Sequence, residues 1–561
     1  MLEQFRGRSI DEIDRDFRWS IPVRYNLGVD CSDRQPARKP ALIHEKLDGT
    51  VERFSFGDLA QLSNRFANAL QSFGVAPGDR VAIVLPQLPA TVVAHLAVYK
   101  LGGVAVPMST LFGPDAFEMR LQDSGTKLIV TDHSTLPRIE EIADRLPSLQ
   151  RFVLTSGTAR ARPSMTVEQM LAGGSPDFTP APTNSDDPAL LIYTSGTTGG
   201  PKGALHGHRI LFGHLPGFEL SHDFFPQADD LFWTPADWAW IGGLMDALFP
   251  ALHHGRCTFS MESSGPFDPE RALSRMATYA VRNTFLPPTA LKMMRQGNAQ
   301  PPRDVRLRSI MSGGEALGEE MLNWVRERLG VTVNEIYGQT ECNYVVGNSS
   351  GLYPVKPGSM GKGYPGHHVA VVNELGEPVG PDTLGEIAIR RPDPVMFLGY
   401  WQNPKATTDK YVGDWLLTGD LARTDDSGYL YFAGRKDDVI NSAGYRIGPT
   451  EIESTLMKHP AVAMAAVIGV PDEIRGEVVK AYIMTKQGVE GNGQLATDIQ
   501  AFVKTRLAAY EYPREVEFID HMPLTTTGKI RRNELRARHQ QKVGPQDQHE
   551  GGSEWPKTSS R

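Results

Sequence analysis

The sequence predicts an α/β protein in two parts. A large N-terminal domain of mixed and parallel sheets with helices is followed by a small α+β C-terminal domain. Three observations carry this. Arg80-Val-Ala-Ile-Val-Leu-Pro86 reads as a buried strand, Pro89 to Leu101 as a helix and Val104-Ala-Val-Pro-Met108 as the next strand. That is the spacing of a parallel crossover unit. Lys127 to Thr131 and Arg151 to Thr155 repeat the apolar strand pattern. Beyond about residue 437 the texture shifts to a short helix (Thr450 to His459), two strands (Val462 to Val470, Val478 to Thr485) and a helix (Thr497 to Leu507). The 561 residues are too many for a single core. The expected boundaries are 1–436 for the large domain, 437–541 for a mobile lid domain and 542–561 for a disordered, Gln/Gly/Ser/Pro-rich tail.

Within the large domain, residues 1–50 are polar and read as an irregular lead-in. Ser55 and Asp58 have capping-box spacing, Leu59, Leu62, Phe66 and Leu70 share one face, and Gly74 stands just past the helix. Residues 156–186, rich in Pro, Ser, Thr and Ala, read as a long surface connection.

Composition excludes several classes. Apolar residues make up 40% and charged residues 22%, so the chain is not wholly disordered. A net charge of −8 argues against a general nucleic-acid or membrane-surface binder. Cys31, Cys257 and Cys342 are far apart and form no metal or disulfide framework, which suits a reducing compartment. No apolar run is long enough to span a membrane, and the acidic N-terminus reads as neither signal nor transit peptide. The expectation is a cytoplasmic enzyme without membrane or nucleic-acid partners.

The strongest local signal is Tyr193-Thr-Ser-Gly-Thr-Thr-Gly-Gly-Pro-Lys-Gly203, directly after the apolar Ala189-Leu-Leu-Ile192. Glycines let backbone N–H groups converge on an anion, Thr194, Ser195, Thr197 and Thr198 add hydroxyl donors, and Lys202 adds positive charge. This is a phosphate cradle. It is not a Walker A loop, because Lys202 is followed by Gly203 where Ser or Thr is required.

The segment resembles the signature of the adenylate-forming superfamily: acyl- and aryl-CoA synthetases, peptide-synthetase adenylation domains and luciferases. Further motifs follow in that family's order over nearly the whole chain. They are Asn334-Glu-Ile-Tyr-Gly-Gln-Thr-Glu341, Leu417-Thr-Gly-Asp420, Gly434-Arg-Lys-Asp-Asp-Val-Ile440 and Pro523-Leu-Thr-Thr-Thr-Gly-Lys529. The resemblance implies attack of a carboxylate on the α-phosphate of ATP, then transfer of the acyl group to CoA. Two anions must meet, so positive charge and oriented donors have to offset their repulsion. Mg²⁺ is implied across the phosphates, with Glu341 as its protein carboxylate.

By the same resemblance, Thr194, Ser195, Gly196, Thr197, Thr198 and Lys202 bind phosphate, and Thr340 donates to the α-phosphate. Tyr337 lies against adenine beside Gln339. Gly314, Glu315 and Ala316 line the adenine pocket, although Ala316 stands where many acyl-CoA synthetases have proline. Asp420, with two acceptor oxygens, suits a ribose diol, and Arg435 donates to the same sugar. Arg446 contacts phosphate, Asp437 is the hinge, Ala443 and Gly444 flank the CoA pantetheine, and Lys529 serves adenylation. Lys529 also sits in a loop of the kind that protein lysine acetyltransferases modify. Acetylation there would remove the ammonium charge.

Gly338 stands where acetyl-CoA synthetases carry tryptophan, so the absent indole is expected to leave room for a longer acid. Trp238, Trp240, Leu244, Met311, Gly338 and Cys342 are the candidate walls of the acyl pocket. The expected activity is an AMP-forming ligase of a short- to medium-chain acid. The alternatives are an aryl-acid ligase of the same superfamily, or a non-catalytic nucleotide- or acyl-binding relative. The latter should lack Lys529, Glu341 or Asp420, and all three are present. His206 and His208 are expected to cap or pack the following helix. Arg531, Arg532, Arg536 and Arg538 are expected to form a solvated face.

Overall fold

The computed structural model describes all residues except 195–200, 264, 443–444, 473–474, 508–511, 526–527 and 544–561, and the side chains of 441, 445, 446, 451 and 543. The chain divides into two compact units, Met1–Phe432 and Ala433–Arg561.

The first unit holds two large sheets. One runs in the order Gly399–Tyr400, Gly203–Gly207, Pro188–Tyr193, Val104–Pro107, Arg80–Val84, Leu128–Thr131, Arg151–Leu154, Ser164–Thr166. From Pro188–Tyr193 onwards its pairs are parallel. The crossover from Arg80–Val84 to Val104–Pro107 is the helix Pro89–Lys100, which is buried on nearly every side. An all-round apolar sequence demands this, because a polar face would have nowhere to go. Its one ammonium, Lys100, is fully buried. It is held by Asp33 at 2.6 Å and by Ser63 and Asn64, each at 2.8 Å. Burial still pulls its pKa down.

The second sheet has nine strands and includes Asn283–Phe285, Ser309–Gly313, Val333–Gln339 and Cys342–Gly347 as consecutive neighbours. A smaller antiparallel sheet carries Val369–Val372, Gly385–Arg390, Trp415–Thr424 and Tyr411–Val412. In the C-terminal unit, Gly476–Thr485 pairs with Val462–Asp472 and, in parallel, with Glu515–Phe518. The helices Pro449–Met457, Gly493–Lys504 and Arg532–Val543 complete it. Among the described residues, no helix is long and apolar enough to cross a membrane.

Two sequence expectations need correction. Residues 1–50 are not an irregular lead-in. Ser9 and Glu12 form a capping box on the helix Ile10–Asp16, and Pro40–Glu45 joins the nine-stranded sheet beside Cys257–Met261. One partner strand lies more than 200 residues away, but the other, Val51–Ser55, pairs with it in a local antiparallel hairpin that the sequence reading passed over. The 156–186 connection also contains structure: Ser164–Thr166 is an edge strand, and Thr166 with Gln169 caps the helix Val167–Gly173.

Candidate active site

The phosphate-loop motif sits on a hairpin. The strand Pro188–Tyr193 lies inside the first sheet, and Gly203–Gly207 returns antiparallel to it, with Tyr193 opposite Gly203. The neck is closed by Thr194, whose N–H donates to the Lys202 carbonyl at 2.9 Å. Ser195, Gly196, Thr197 and Thr198 lie outside the described residues.

Lys202 points its ammonium at the Tyr400 ring, 5.2 Å from the centroid. The Tyr400 hydroxyl donates to Glu341 Oε1. Segment 397–401 fixes this relation through its backbone. Phe397 N–H donates to the Glu341 carbonyl at 2.9 Å, and Trp401 N–H to the Gly203 carbonyl at 2.7 Å. Lys202 and Glu341, far apart in the chain, therefore share one tyrosine. Sequence reasoning missed Tyr400, because Gly399-Tyr400-Trp401 belongs to no motif of the resemblance. Glu341 is buried and follows half-buried Thr340 in the turn between two strands of the nine-stranded sheet.

A second cluster surrounds Asp420. Its Oδ2 accepts from the Tyr337 hydroxyl at 2.7 Å and from Gln339 Nε2 at 3.1 Å. Gln339 Nε2 also donates to the Thr418 carbonyl at 3.0 Å, and Lys410 Nζ to the Leu417 carbonyl at 3.2 Å. One edge of the nine-stranded sheet thus meets the 415–424 strand through a carboxylate. Lys410 is a further residue the sequence did not signal.

The Gly313–Leu317 turn leaves the strand Ser309–Gly313. Gly314 has φ +100°, a conformation that L side chains rarely adopt. Glu315 pairs with Lys292 at 2.9 Å, and Ala316 is exposed. The turn is anchored from beneath by Glu335, whose Oε1 accepts from the Leu317 N–H at 3.0 Å. Desolvation raises the Glu335 carboxyl to about 7, against the lowering effect of that hydrogen bond.

The candidate acyl-pocket residues are distributed over several packing clusters. Trp238 and Leu244 pack in one core cluster, Met311 in a second and Cys342 in a third. Trp240 meets Phe112 edge-on at 5.9 Å, and the Tyr344 hydroxyl donates to the Met311 sulfur. The expectation at Gly338 fails on sterics. A Cβ there would stand 2.3 Å from the Tyr344 backbone nitrogen and 2.7 Å from the Asn343 Cα. The missing side chain makes room for the neighbouring strand, not for a ligand.

Burial, not helix capping, accounts for the histidine pair. His208 Nδ1 accepts from the Leu27 N–H at 3.2 Å. Burial depresses His206 to about 3 and His208 to about 4, so both rings are neutral at physiological pH. The following helix, Ile210–Ser221, takes Arg209 as its N-cap, and no side chain caps it there.

In the C-terminal unit, Arg435 ends the strand Leu430–Arg435 and Asp437 is exposed. Asp438 is buried between Arg536 at 2.7 Å and Arg532 at 3.5 Å. Arg532 also grips Glu453 through two 2.7 Å bonds, and Arg538 reaches Glu517 at 3.0 Å. Arg531 pairs locally with Glu534. Arg531 and Arg538 are exposed, as a solvated face requires, but Arg532, Arg536 and Arg538 also form ion pairs that tie the helix to its unit. The acidic partners of these three lie 21 to 98 residues upstream and leave no local trace. Ala443 and Gly444 lie outside the described residues, as does the Arg446 side chain. Lys529 is exposed. Its N–H donates to Thr525 Oγ1 at 3.0 Å, and its carbonyl accepts from the Thr525 N–H at 2.7 Å. Helix Arg532–Val543 carries Lys542, which the sequence had assigned to the tail; the rest of that tail, beyond Val543, lies outside the described residues.

Among the described residues, no group of three His, Cys, Asp or Glu side chains is arranged to hold a metal ion. A Mg²⁺ that takes phosphate and water oxygens needs only one or two protein carboxylates, and Glu341 fits that demand.

The structure thus combines an α/β unit, in which the Lys202 hairpin and the buried Glu341 meet at Tyr400, with a separate α+β unit carrying an exposed lysine. Comparison with known proteins gives the family. Residues 30–401 match the AMP-binding enzyme model and residues 451–529 the model of the AMP-binding enzyme C-terminal domain. The chain belongs to the AMP-binding enzyme family. It is 35% identical over 529 residues to the uncharacterized acyl-CoA ligase YtcI of Bacillus subtilis, covering 93% of this chain and 97% of that one. It is 34% identical to the mitochondrial acyl-coenzyme A synthetase ACSM3 of Mus musculus, covering 94% and 92%. The crystal structure of Brucella canis acyl-CoA synthetase superposes with a TM-score of 0.72 at 33% identity, covering 96% and 100%. These relatives are acid–thiol ligases, and the two-part α/β architecture expected from the sequence is theirs.

Proposed function

We propose that this protein is an AMP-forming acyl-CoA ligase that converts a short- to medium-chain carboxylic acid, ATP and CoA into acyl-CoA, AMP and pyrophosphate. The observation that carries the reading is the Lys202–Tyr400–Glu341 relay. It holds a cation and a carboxylate of two distant motifs on either side of one tyrosine, next to the neck of the phosphate loop.

In the first half-reaction the acid's carboxylate attacks the α-phosphate, the bond to pyrophosphate breaks and an acyl-adenylate forms. Lys202 and the loop hydroxyls offset the charge of the phosphates, and Thr340 donates to the α-phosphate. Tyr400 fixes the direction of the Glu341 carboxylate, so a metal ligand is in place before substrate arrives. Mg²⁺ bound there would neutralise phosphate charge. Asp420 accepts from the ribose diol, with Tyr337 and Gln339 holding its orientation and Arg435 donating to the sugar. Lys529 stabilises the pentacovalent phosphorus. For the second half-reaction Asp437 is the hinge, Arg446 contacts phosphate, and Ala443 and Gly444 flank the pantetheine whose thiol displaces AMP. Acetylation of Lys529 by a lysine acetyltransferase would silence adenylation. The three unpaired cysteines suit work in a reducing, cytoplasmic compartment.

The test is a carboxylate panel scored for AMP and pyrophosphate with Mg²⁺, with and without CoA. CoA-dependent thioester formation from at least one straight-chain acid supports the reading. AMP release only with aromatic acids would move the assignment to an aryl-acid ligase.

A further inference from the structure

The strand Trp415–Thr424 is bulged at Asp420. Its register against Gly385–Arg390 shifts: Leu417 faces Ala388 and Leu421 faces Glu386, so Thr418, Gly419 and Asp420 stand opposite Ile387 alone. Gly419 takes φ +79° within the bulge. A bulge re-aims the side chains it carries. This one turns Asp420 to Tyr337 and Gln339 of the nine-stranded sheet, and the direction of the carboxylate then depends on what holds the bulge. From within, the Asp420 N–H donates to Thr418 Oγ1 at 3.1 Å, the Thr418 hydroxyl to the Ile387 carbonyl at 2.8 Å and the Gly419 N–H to Glu386 Oε1 at 2.8 Å.

From outside, the hold is Lys410. Its ammonium donates to the Leu417 carbonyl at 3.2 Å, to the Thr418 carbonyl at 3.4 Å and to Gln339 Oε1 at 3.4 Å. An ammonium has three N–H donors, and here each meets an uncharged oxygen of an element that presents Asp420. A lysine that only covers apolar surface keeps its head group in water; this one, half-buried, turns it inward. Its backbone is fixed as well. The Leu417 N–H donates to the Lys410 carbonyl at 2.8 Å, and the adjoining Tyr411–Val412 pairs with Leu416 and Trp415. Gln339 is the joint between lysine and carboxylate: its oxygen accepts from Lys410, while its Nε2 donates to the Thr418 carbonyl at 3.0 Å and to Asp420 Oδ2 at 3.1 Å. Turning the amide over would set its oxygen against the carboxylate and forfeit the ammonium. The positive charge therefore stands one amide away from Asp420, and the chain Lys410–Gln339–Asp420 is polarised in one direction.

We propose that Lys410 is a positioning residue for nucleotide recognition: by gripping the bulge and the Gln339 amide together, it aims the Asp420 carboxylate at the ribose hydroxyls. The inference rests on the reading of Asp420 as the ribose acceptor.

The experiment measures binding of ATP, 2′-deoxyATP and 3′-deoxyATP by calorimetry with Mg²⁺ and no acid. The proteins are the wild type, Lys410→Met, Lys410→Gln, Gln339→Leu, the double variant Lys410→Met/Gln339→Leu, and Asp420→Ala. Each ratio of dissociation constants comes from one preparation, so a loss of folded protein cancels from it. The wild type should prefer ATP over the deoxynucleotides by about 10- to 100-fold, the range for a hydrogen bond to a charged group. Lys410→Met should cut that preference by at least about threefold, as coupled neighbours do. Lys410→Gln, which can still donate to the strand, keeps the test open if the Met variant does not fold, and it should lose preference in the same direction. Gln339→Leu should lose it too, and adding Lys410→Met to Gln339→Leu should change little more, because the lysine acts through the amide. A Lys410→Met or Lys410→Gln preference equal to the wild type's, or fully independent losses in the double variant, overturns the inference; the ribose reading stands if Asp420→Ala abolishes the preference. A wild type without preference, or an Asp420→Ala variant that keeps it, overturns both.

Discussion

The two units prepare their chemistry in opposite ways. In the first, Asp420 is buried and already bonded to Tyr337 and Gln339, and Glu341 is held by Tyr400. In the second, Lys529 is exposed, and the bonds that define its position are two backbone contacts with Thr525 and the isolated bridge from Leu524 to Ile530. On the proposed reaction the difference amounts to a division of labour. A pocket that must recognise a nucleotide gains from fixed, desolvated dipoles. On the proposed reaction Lys529 serves one half-reaction and not the next, and an exposed side chain can do so without unpacking a core. Helix Arg532–Val543, locked by Arg532 and Arg536 onto Asp438 and Glu453, gives the Lys529 loop a rigid base three residues away.

The largest test of the contrast is Lys529→Ala. Adenylate formation should fall by about 10²–10³-fold, the usual loss for one oriented charge at a transition state. Thioester formation from supplied acyl-adenylate should stay within a few-fold of wild type, and the melting temperature should not move, because Lys529 supports no core. Equal loss in both half-reactions would break the comparison.

Gly338→Trp probes the prepared side. Sequence comparison alone would make it a chain-length switch. The structure instead gives a steric clash with the Asn343–Tyr344 backbone, so the variant should lose about 3 kcal/mol of stability, the upper range for overpacking. Denaturant unfolding measures this. A stable variant with a preference shifted towards acetate would show that the strand yields and that the sequence-based reading was the better one.

Asp420→Ala removes the shared acceptor of Tyr337 and Gln339. With about 1.5–3 kcal/mol for a hydrogen bond to a charged group, kcat/KM for ATP should fall by about 10- to 100-fold, mainly through KM. Tyr337→Phe, which deletes one of the bonds, should cost less. If both variants bind ATP as the wild type does, measured by calorimetry, the cluster is structural and the ribose assignment is wrong.

What could be read from the sequence follows the range of the interactions. The crossover Arg80–Val84, Pro89–Lys100, Val104–Pro107 and the capping box at Ser55 and Asp58 are local, so periodicity and spacing reveal them. The motif residues Lys202, Tyr337, Glu341 and Asp420 were legible as residue types, but their partners were not. Tyr400 and Lys410 enter by tertiary approach, and nothing in their neighbours marks them. Pro40–Glu45 lies between the two cases: it pairs with Cys257–Met261 at long range and with Val51–Ser55 in a local hairpin. Gly338 shows the reverse failure: a glycine in a motif suggests space, and only the opposing backbone shows that the space is filled.

The smallest expected effect concerns the floor of the Gly313–Leu317 turn. Glu335 is buried, and its carboxyl is raised from 4.5 to about 7 by desolvation. A group whose folded pKa lies above its unfolded value contributes stability that is fully present below the unfolded pKa. That contribution is lost as pH rises through the folded pKa. Between pH 5 and pH 7 the unfolded chain has mostly released this proton while the folded chain still holds it, so the loss amounts to about 2 kcal/mol. Glu335→Gln keeps an oxygen for the Leu317 N–H and cannot ionise, so its stability should be flatter across that window. Urea unfolding at half-unit steps, with the difference between variant and wild type plotted against pH, isolates this carboxyl from every other titrating group. A parallel rise in KM for ATP above pH 7 in the wild type, absent from Glu335→Gln, would tie the same ionisation to nucleotide binding at the turn expected to line the adenine pocket. A difference curve independent of pH would mean that Glu335 is ionised and satisfied throughout. The prepared side of the molecule would then contain no strained carboxyl at this turn.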